Sequence, residues 1–390
     1  MEKKVFEKRC KEDKPVLAIC YDFDKTLSPD DMQAQGYIQS VGYDVADFWK
    51  ESNDLADSND MDHNLAYMFK MIEKAQGRVL FTRDTLAECG SKVCLFPGVE
   101  EWFERIRQYG ADHGVIVEHY IISSGLKEMI EGTSVARNGA FERIFASSFY
   151  FDSYGVAKWP AQVVNYTNKT QFLFRIEKGV LDVNDFSVND YFAPEDIRVP
   201  FRNMVYIGDS DTDIPCMKLV NTYGGHSIGV YNTEKTKVYK MMRDGRIKYY
   251  VPADYSDGSE LDNLVKAIID RTATNEILEA KYYSCKRENI EADLSVNDES
   301  QKRIDLIIAL ENSHSFARTH TVIRDLQKYS NWSSEEKETL FDVALSNSQV
   351  YYILEDPDVL TFFNSLLKSE ESLSPNAQRI RKILTKQSSS

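Results

Sequence analysis

Residues 21–27 read Tyr-Asp-Phe-Asp-Lys-Thr-Leu, and they directly follow an apolar run, Val-Leu-Ala-Ile-Cys, at positions 16–20. The apolar run predicts a buried β-strand that ends at Asp22. Residues two apart in an extended segment point to the same face, so we expect Asp22 and Asp24 to lie close together and to repel each other. Two carboxylates in this position indicate a site that a cation must compensate.

Two further apolar runs end abruptly in polar or glycine residues. Residues 115–122 precede Ser123, and residues 204–207 precede Gly208. Uninterrupted apolar runs are typical of parallel strands that helices cover on both faces. Helical spacing of apolar residues follows Pro97-Gly98, so strands and helices alternate along the chain. This alternation predicts an α/β fold with a parallel, Rossmann-like sheet and with ligand chemistry at the carboxyl ends of its strands.

The segment after the two aspartates departs from this alternation. Between residues 31 and 95, apolar residues such as Leu65, Met68 and Ile72 recur at helical spacing, and no run reads clearly as a strand. An insertion at this point lies directly beside the acidic turn. We therefore predict an α-helical cap, residues 31–95, that closes over whatever the aspartates bind.

The other domain limits follow from changes in composition. Residues 1–30 and 96–274 form the predicted α/β core on either side of the cap. Residues 275–300 are polar and charged without a sustained period, which predicts a linker. Residues 301–390 predict an all-α C-terminal extension, in which Ser333 with Glu336 fits a capping box before an apolar helical face.

The overall composition limits the classes of function. Apolar residues make up 42% of the 390 residues, which is typical of a globular protein. A formal net charge of −15 argues against general nucleic-acid binding, because no broad basic field attracts phosphate backbones. The charged first ten residues and the lack of a long apolar run predict neither a signal peptide nor a membrane span. Six scattered cysteines without zinc-like spacing indicate reduced thiols, so we expect a cytoplasmic protein.

Four short motifs occur in a fixed order along the predicted core. They are Asp-Phe-Asp-Lys-Thr at 22–26, Ser-Ser-Gly at 123–125, Lys169 at the start of a helical pattern, and Gly-Asp-Ser-Asp-Thr-Asp at 208–213. In these motifs the chain resembles the haloacid dehalogenase-like (HAD) superfamily, over about residues 14–270. The Asp-x-Asp-x-Thr form resembles its phosphatase branch, and the predicted cap stands where many members carry one. The first and fourth motifs are specific in combination, whereas the serine and lysine motifs are weak alone.

The resemblance implies a Mg²⁺ site built from aspartates, since Mg²⁺ prefers hard oxygen ligands. Asp22 would be nucleophile and metal ligand, and an aspartyl-phosphate would form. Asp24 would protonate the leaving oxygen, activate water afterwards, and give its backbone carbonyl to the metal. Asp209 would add a carboxylate ligand, while Asp213 would bind the metal or orient its shell. Asp24 also favours a phosphate ester over a halide, because an alkoxide leaving group needs a proton and a halide does not.

The resemblance further implies that hydroxyl, amide and ammonium groups hold the phosphoryl oxygens. Ser123 ends the apolar run directly and is preferred over Ser124 as the binding hydroxyl, although Ser124 stays open. The backbone amides of Ser124 and Gly125 would bind the same oxyanion. Lys169 would hold a phosphoryl oxygen and offset the acidic charge.

Two other lysines compete with Lys169 for this role. Lys158 falls in a predicted hairpin, and Lys178 precedes a glycine at a helix end, so both have ordinary explanations as surface charges. Asp211, between the two acids of the fourth motif, is better explained as a loop or helix-start residue than as a ligand.

These expectations combine into a Mg²⁺-dependent phosphomonoester hydrolase that acts on a small phosphorylated metabolite. Phosphoryl transfer to an acceptor other than water is an alternative, because it uses the same four motifs. A third hypothesis is a regulatory or binding protein whose residues 301–390 recruit a protein partner. The cap contains no motif that identifies the substrate.

Overall fold

The computed structural model describes residues 8–192, 196–293, 298–330, 332–368 and 373–385. The chain divides into two compact units. The first contains Met1–Val188 and Arg198–Glu279, and the second contains Asn189–Ile197 and Ala280–Ser390.

A seven-stranded sheet forms the core of the first unit. Its strands are β1 Val16–Tyr21, β2 Ile116–Leu126, β3 Arg143–Phe151, β4 Ala157–Gln162, β5 Met204–Gly208, β6 His226–Tyr231 and β7 Tyr249–Pro252. The spatial order is β4-β3-β2-β1-β5-β6-β7, and every neighbouring pair is parallel except β3 and β4. The chain leads from β1 outward through β2, β3 and β4 and then crosses back to β5 on the other side of β1, so the carboxyl ends of β1 and β5 lie at a switch point of the kind where α/β sheets bind ligands.

The central strand is buried on both faces. All six residues of β1 are buried, as expected for a strand covered on both sides. Leu17 and Ile19 pack in one apolar cluster, and Ala18 and Cys20 pack in a second cluster on the opposite face. The predicted α/β class with a parallel, Rossmann-like sheet is therefore confirmed.

The insertion after β1 is helical. Its helices are α1 Tyr37–Ser40, α2 Val45–Ser58, α3 His63–Ala75 and α4 Arg83–Gly90. Asp62 begins α3, because its carboxylate accepts hydrogen bonds from the N–H groups of Asn64 and Leu65. Apolar side chains of the insertion, among them Phe48 and Met68, belong to the same buried cluster as β1. The inserted helical cap is present and packs on the sheet domain.

Among the described residues, seven α-helices follow the cap, and the last of them, α11, continues into the second unit. They are α5 Val99–Asp112, α6 Lys127–Gly132, α7 Ser134–Arg137, α8 Thr170–Lys178, α9 Ile214–Thr222, α10 Thr236–Arg243 and α11 Glu260–Asp293.

The second strand is longer than the sequence predicted. We expected it to end before Ser123, but β2 continues to Leu126, and its register with β3 becomes irregular between these two residues. The serines interrupt the apolar run without interrupting the backbone, because strand pairing uses peptide groups and not side chains.

The predicted linker at residues 275–300 is largely helical. Helix α11 continues to Asp293, and α12 begins at Asp298, while residues 294–297 lie outside the described residues. Side-chain periodicity did not predict this helix, because its mostly polar residues show no regular spacing of apolar positions. Glu, Lys and Ala nevertheless favour a helix locally. The predicted domain limits stay predictions.

The second unit is built from helices around its own apolar core. Beyond α11 these are α12 Asp298–Glu311, α13 Phe316–Leu326, α14 Ser334–Ser346, α15 Ser348–Tyr352, α16 Pro357–Lys368 and α17 Pro375–Thr385. Phe341, Phe363 and Ile380 are buried in this core, and the capping box of Ser333 and Glu336 begins α14. The predicted all-α C-terminal extension is confirmed. No helix among the described residues is long and apolar enough to cross a membrane.

Candidate active site

The chain turns tightly directly after β1. The N–H of Asp22 still pairs with β5, donating to Ile207 at 3.0 Å. The carbonyl of Phe23 then accepts the N–H of Leu27 at 2.9 Å, which closes the turn. Lys25 adopts a left-handed conformation with φ of 59°. Such strain in a residue other than glycine is typical of functional loops.

Three carboxylates meet at the carboxyl ends of β1 and β5. Asp22 follows β1, Asp209 follows β5, and Asp213 ends a short 3₁₀ helix, Asp211–Asp213. Each offers one oxygen within 4.8 Å of the others. Adjacent parallel strands have their carboxyl ends at the same edge of the sheet, which is why residues so far apart in sequence meet here.

Gly208 leaves the space that Asp213 occupies. A Cβ atom at Gly208 would lie 2.5 Å from Asp213 Oδ2. The Asp213 carboxylate is held in place, because the hydroxyl of Tyr206 donates to its Oδ1 at 2.9 Å and the N–H of Ser210 donates to its Oδ2 at 3.3 Å. Glycine is therefore required here by close approach.

A buried lysine compensates part of the acidic charge. Lys169 Nζ lies 2.7 Å from Asp213 Oδ1 and 3.3 Å from Asp22 Oδ2, and its side chain is completely buried. Burial alone would lower the pKa of Lys169, but Asp213 and Asp22 raise it above its ordinary value. The ammonium group is therefore charged, and the three carboxylates still exceed it in number.

The two competing lysines lie outside this cluster. Lys158 pairs with Asp152 on the β3–β4 hairpin at 3.2 Å, and Lys178 donates to the carbonyl of Val188 at 2.6 Å. Asp211 is exposed and does not belong to the carboxylate cluster.

Burial and neighbouring charges raise the pKa values of Asp22 and Asp209. Burial raises the pKa of Asp22 to about 6, with Lys169 lowering it and Asp213 raising it further. Burial, followed by the charges of Asp213 and Asp22, raises the pKa of Asp209 to about 7. Acids in such surroundings bind a proton or another cation more readily than isolated ones.

Asp24 stands apart from the three-carboxylate cluster. Its Oδ1 accepts the N–H of Met32 at 2.8 Å, at the beginning of the cap. Burial, then the charges of Asp31 and Asp22, raises the pKa of Asp24 well above its ordinary value. Asp22 and Asp24 thus have different partners, as their different predicted roles require, and the charge of Asp22 still raises the pKa of Asp24.

The two serines of β2 have different surroundings. The hydroxyl of Ser123 accepts the N–H of Gly125 at 3.1 Å, and the same hydroxyl lowers the pKa of the Asp22 carboxyl. Ser124 Oγ is buried and has no hydrogen-bond partner among the described residues. Both serines and Gly125 line one cavity with Asp22, of about 790 Å³. The choice between Ser123 and Ser124 as the phosphate ligand stays open.

Other residues line the cavity or contact its acids, although no sequence motif marks them. Asn64 from the cap and Asn165 before α8 line the same cavity, and Lys237 Nζ lies 3.8 Å from Asp209 Oδ2. Isolated polar residues give no sequence signal, because only the fold brings them to the cavity. His119, by contrast, is fully buried on β2 and pairs with the hydroxyl of Tyr21 at 2.9 Å, as ordinary packing predicts.

The carboxylate cluster fits a hard divalent cation. Its donor atoms are all carboxylate oxygens, the ligand type that Mg²⁺ prefers, and its three negative charges exceed the charge of the buried Lys169. We find the residues present compatible with Mg²⁺.

Comparison with known proteins agrees with the fold and the motifs. The sequence model of the family described as haloacid dehalogenase-like hydrolase matches residues 19–218, just over half of the chain. A protein from Borreliella burgdorferi that bears the name "Uncharacterized protein" is 26% identical over 282 residues, covering 64% of this chain and 95% of that protein.

Solved structures of low identity resemble the chain as well. A HAD-family hydrolase from Salmonella enterica serovar Typhi is 16% identical with a TM-score of 0.45, covering 66% of this chain and 73% of that one. A probable phosphoserine phosphatase from Vibrio cholerae is 15% identical with a TM-score of 0.45, covering 67% of each chain. Both scores are too low to support a conclusion about the substrate.

Proposed function

The chain belongs to the haloacid dehalogenase-like hydrolase family, and from this premise we propose that it hydrolyses small phosphomonoesters through an aspartyl-phosphate. The observation that carries the proposal is the position of Asp22, which ends the central strand, belongs to the carboxylate cluster and contacts the buried Lys169. A carboxylate nucleophile reaches a dianionic phosphoryl group only where cations neutralise both partners.

Mg²⁺ is the cofactor that we propose for this site. Asp22, Asp209 and Asp213 would hold it, with the backbone carbonyl of Asp24 as a further ligand. When bound, Mg²⁺ would neutralise the carboxylates and polarise a phosphoryl oxygen.

Asp22 and Asp24 divide the chemical work in this proposal. Asp22 attacks phosphorus, and the P–O ester bond breaks while Asp24 gives its proton to the leaving oxygen. Asp24 then takes a proton from water, whose oxygen attacks the aspartyl-phosphate, so that phosphate leaves and Asp22 is restored. Burial and the charges of Asp31 and Asp22 raise the pKa of Asp24 well above its ordinary value, which favours a role as general acid. With a pKa of about 6, Asp22 is mostly ionised there, as a nucleophile must be.

Four neighbouring residues would hold the transferred group. These are the hydroxyl of Ser123 or of Ser124, the backbone N–H groups of Ser124 and Gly125, and the ammonium group of Lys169. The two serines and Gly125 line one cavity with Asp22, and Lys169 contacts Asp22 directly. Donors placed around the phosphoryl oxygens stabilise the charge that develops in the transition state.

A panel of phosphomonoesters tests the proposal on the purified chain with and without EDTA. We expect activity that requires Mg²⁺ and that falls by about three orders of magnitude or more in Asp22→Asn. Asp211→Asn is the matched control, since it neutralises an exposed acid of the fourth motif outside the cluster. Activity that persists in Asp22→Asn, or that ignores EDTA, refutes the mechanism. Added alcohols or nucleosides show by product analysis whether an acceptor other than water takes the phosphoryl group.

We propose that the second unit binds a protein partner through residues 301–390. We also propose that the whole protein is cytoplasmic. The separate apolar core of the second unit supports the first proposal, because its buried side chains stabilise these helices without contributions from the sheet. Six free thiols support the second. A chain that ends at Glu279 is expected to keep phosphatase activity and to lose a partner in a pull-down; loss of activity would assign the second unit to the catalytic fold.

A further inference from the structure

A tyrosine of the cap bonds to the backbone of the serine motif. The hydroxyl of Tyr67, on α3, donates to the carbonyl of Ser124 at 2.8 Å, and only 4% of Tyr67 is exposed. Ser147 on β3 donates to the same carbonyl at 3.1 Å and is fully buried. Two donors from different elements therefore fix one peptide group of β2.

The peptide group between Ser124 and Gly125, to which Tyr67 is bonded, lies next to the predicted phosphate-binding groups. The carbonyl of Ser124 and the N–H of Gly125 belong to the same planar peptide, so fixing one fixes the direction of the other. The N–H of Gly125 donates to Ser123 Oγ at 3.1 Å, and the Ser123 hydroxyl lowers the pKa of the Asp22 carboxyl, with which it lines one cavity. One peptide and one hydroxyl thus connect Tyr67 with the nucleophile.

The same helix also holds the turn before Lys169. Asp62, which begins α3, accepts a hydrogen bond from Asn165 Nδ2 at 2.7 Å. The carbonyl of Asn165 accepts the N–H of Lys169 at 3.1 Å. Asn64 donates to the carbonyl of Val164 at 2.8 Å. The first two turns of α3 therefore contact both segments that carry predicted phosphate ligands.

We propose that Tyr67 is a positioning residue, through which the cap sets the Ser124–Gly125 peptide, and with it the Gly125 N–H and the Ser123 hydroxyl, for the phosphoryl oxygens. This inference rests on the proposed function for the identity of the bound group. The proposal gives α3 a role beyond covering the site. Phosphate binds strongly only while Tyr67 of α3 is hydrogen-bonded to the Ser124 carbonyl of β2.

The chain offers a matched pair of tyrosines for the test. Tyr37 is also a cap residue, is 2% exposed, and donates its hydroxyl to a backbone carbonyl, that of Met71 within the cap. Tyr67→Phe and Tyr37→Phe each remove one buried hydroxyl and one hydrogen bond, and both are expected to lower the melting temperature to a similar extent. Only Tyr67→Phe releases a peptide of the serine motif.

Binding and turnover separate positioning from stability. In Tyr67→Phe, the dissociation constant of inorganic phosphate with Mg²⁺, measured by calorimetry, and the KM for p-nitrophenyl phosphate are expected to rise about fivefold to tenfold, the effect of one lost hydrogen bond. The value of kcat/KM should fall by at least the factor by which KM rises, since the same donors also stabilise the charge that develops in the transition state. Tyr37→Phe should leave both binding constants within about twofold of the wild type.

Equal phosphate affinities in the two variants would overturn the inference. If Tyr67→Phe does not fold, Ser147→Ala removes the other donor to Ser124 and must weaken phosphate binding in the same direction. A wild type that binds phosphate but hydrolyses no ester would refute the proposed function, and the calorimetric comparison would still decide the role of Tyr67.

Discussion

Lys169 Nζ lies 2.7 Å from Asp213 Oδ1, and both side chains are completely buried. The lysine precedes α8, and the aspartate precedes α9, so only the folded sheet domain brings them together. A buried pair that loses one partner leaves an uncompensated charge in a region that water does not reach. Lys169 is therefore expected to support the fold and the chemistry with the same ammonium group.

Replacing this lysine should damage both stability and activity. In Lys169→Met, we expect the free energy of unfolding to fall by about 3–5 kcal/mol and phosphatase activity to fall by about 100-fold or more. Urea unfolding in EDTA and turnover of p-nitrophenyl phosphate measure the two effects. Lys158→Met is the control, since its pair with Asp152 lies at the surface and should contribute little to stability. Similar losses in the two variants would contradict the role of Lys169.

Asp24→Asn should affect poor leaving groups most. An alkyl phosphate leaves as a basic alkoxide that needs the proton of Asp24, whereas p-nitrophenolate is a stable anion. We expect kcat/KM for an alkyl phosphate to fall by about 100-fold or more, the usual contribution of a general acid, and kcat/KM for p-nitrophenyl phosphate to fall much less. The same loss on both esters would exclude Asp24 as the general acid.

Mg²⁺ binding should release protons near neutral pH. The pKa of Asp209 is raised to about 7 and that of Asp22 to about 6, by burial and by neighbouring carboxylates. Below these values a proton must leave before the metal binds, so the apparent affinity should weaken by about tenfold or more between pH 8 and pH 6. Calorimetry in two buffers of different ionisation enthalpy measures the released protons. Asp209→Asn should abolish most of this release, and Asp211→Asn should keep it.

The metal-free protein should lose stability as the pH rises. Both pKa values lie above those of the unfolded chain, about 4, so the folded state holds more protons between these limits. The contribution of Asp22 and Asp209 to the free energy of unfolding is therefore lost as the pH rises through 6 and 7. Denaturant unfolding from pH 5 to pH 8 should show this fall in EDTA and a smaller fall with Mg²⁺. An identical pH dependence with and without Mg²⁺ would contradict metal binding by these carboxylates.

Gly208→Ala should displace a carboxylate without removing one. The new methyl group would meet Asp213 Oδ2 at 2.5 Å, and Tyr206 and Ser210 limit how far Asp213 moves. We expect Mg²⁺ affinity and activity to fall by about tenfold or more while the overall fold persists. Gly36→Ala is the control, because its nearest neighbour would lie 3.7 Å away in the cap. Wild-type metal affinity in Gly208→Ala would show that Asp213 is not confined.

Several features of the fold were accessible from local sequence. The apolar runs before Asp22 and Gly208 predicted strands of a covered parallel sheet, since burial on both faces leaves a continuous apolar segment. The limits of β2 and the helix over residues 275–293 were not accessible in this way. In both cases backbone hydrogen bonds continue through polar residues, and side-chain periodicity does not report them.

The sequence by itself determined the acidic strand ends at Asp22 and Asp209, because a motif at the end of a strand is a local property of the chain. Only the tertiary structure decided the grouping around them: Asp213 joined to Lys169, Asp24 set apart by the turn, and Tyr67 bonded to the backbone of β2. These relationships join residues that are distant in sequence, and their energies depend on burial and on distances that packing alone fixes.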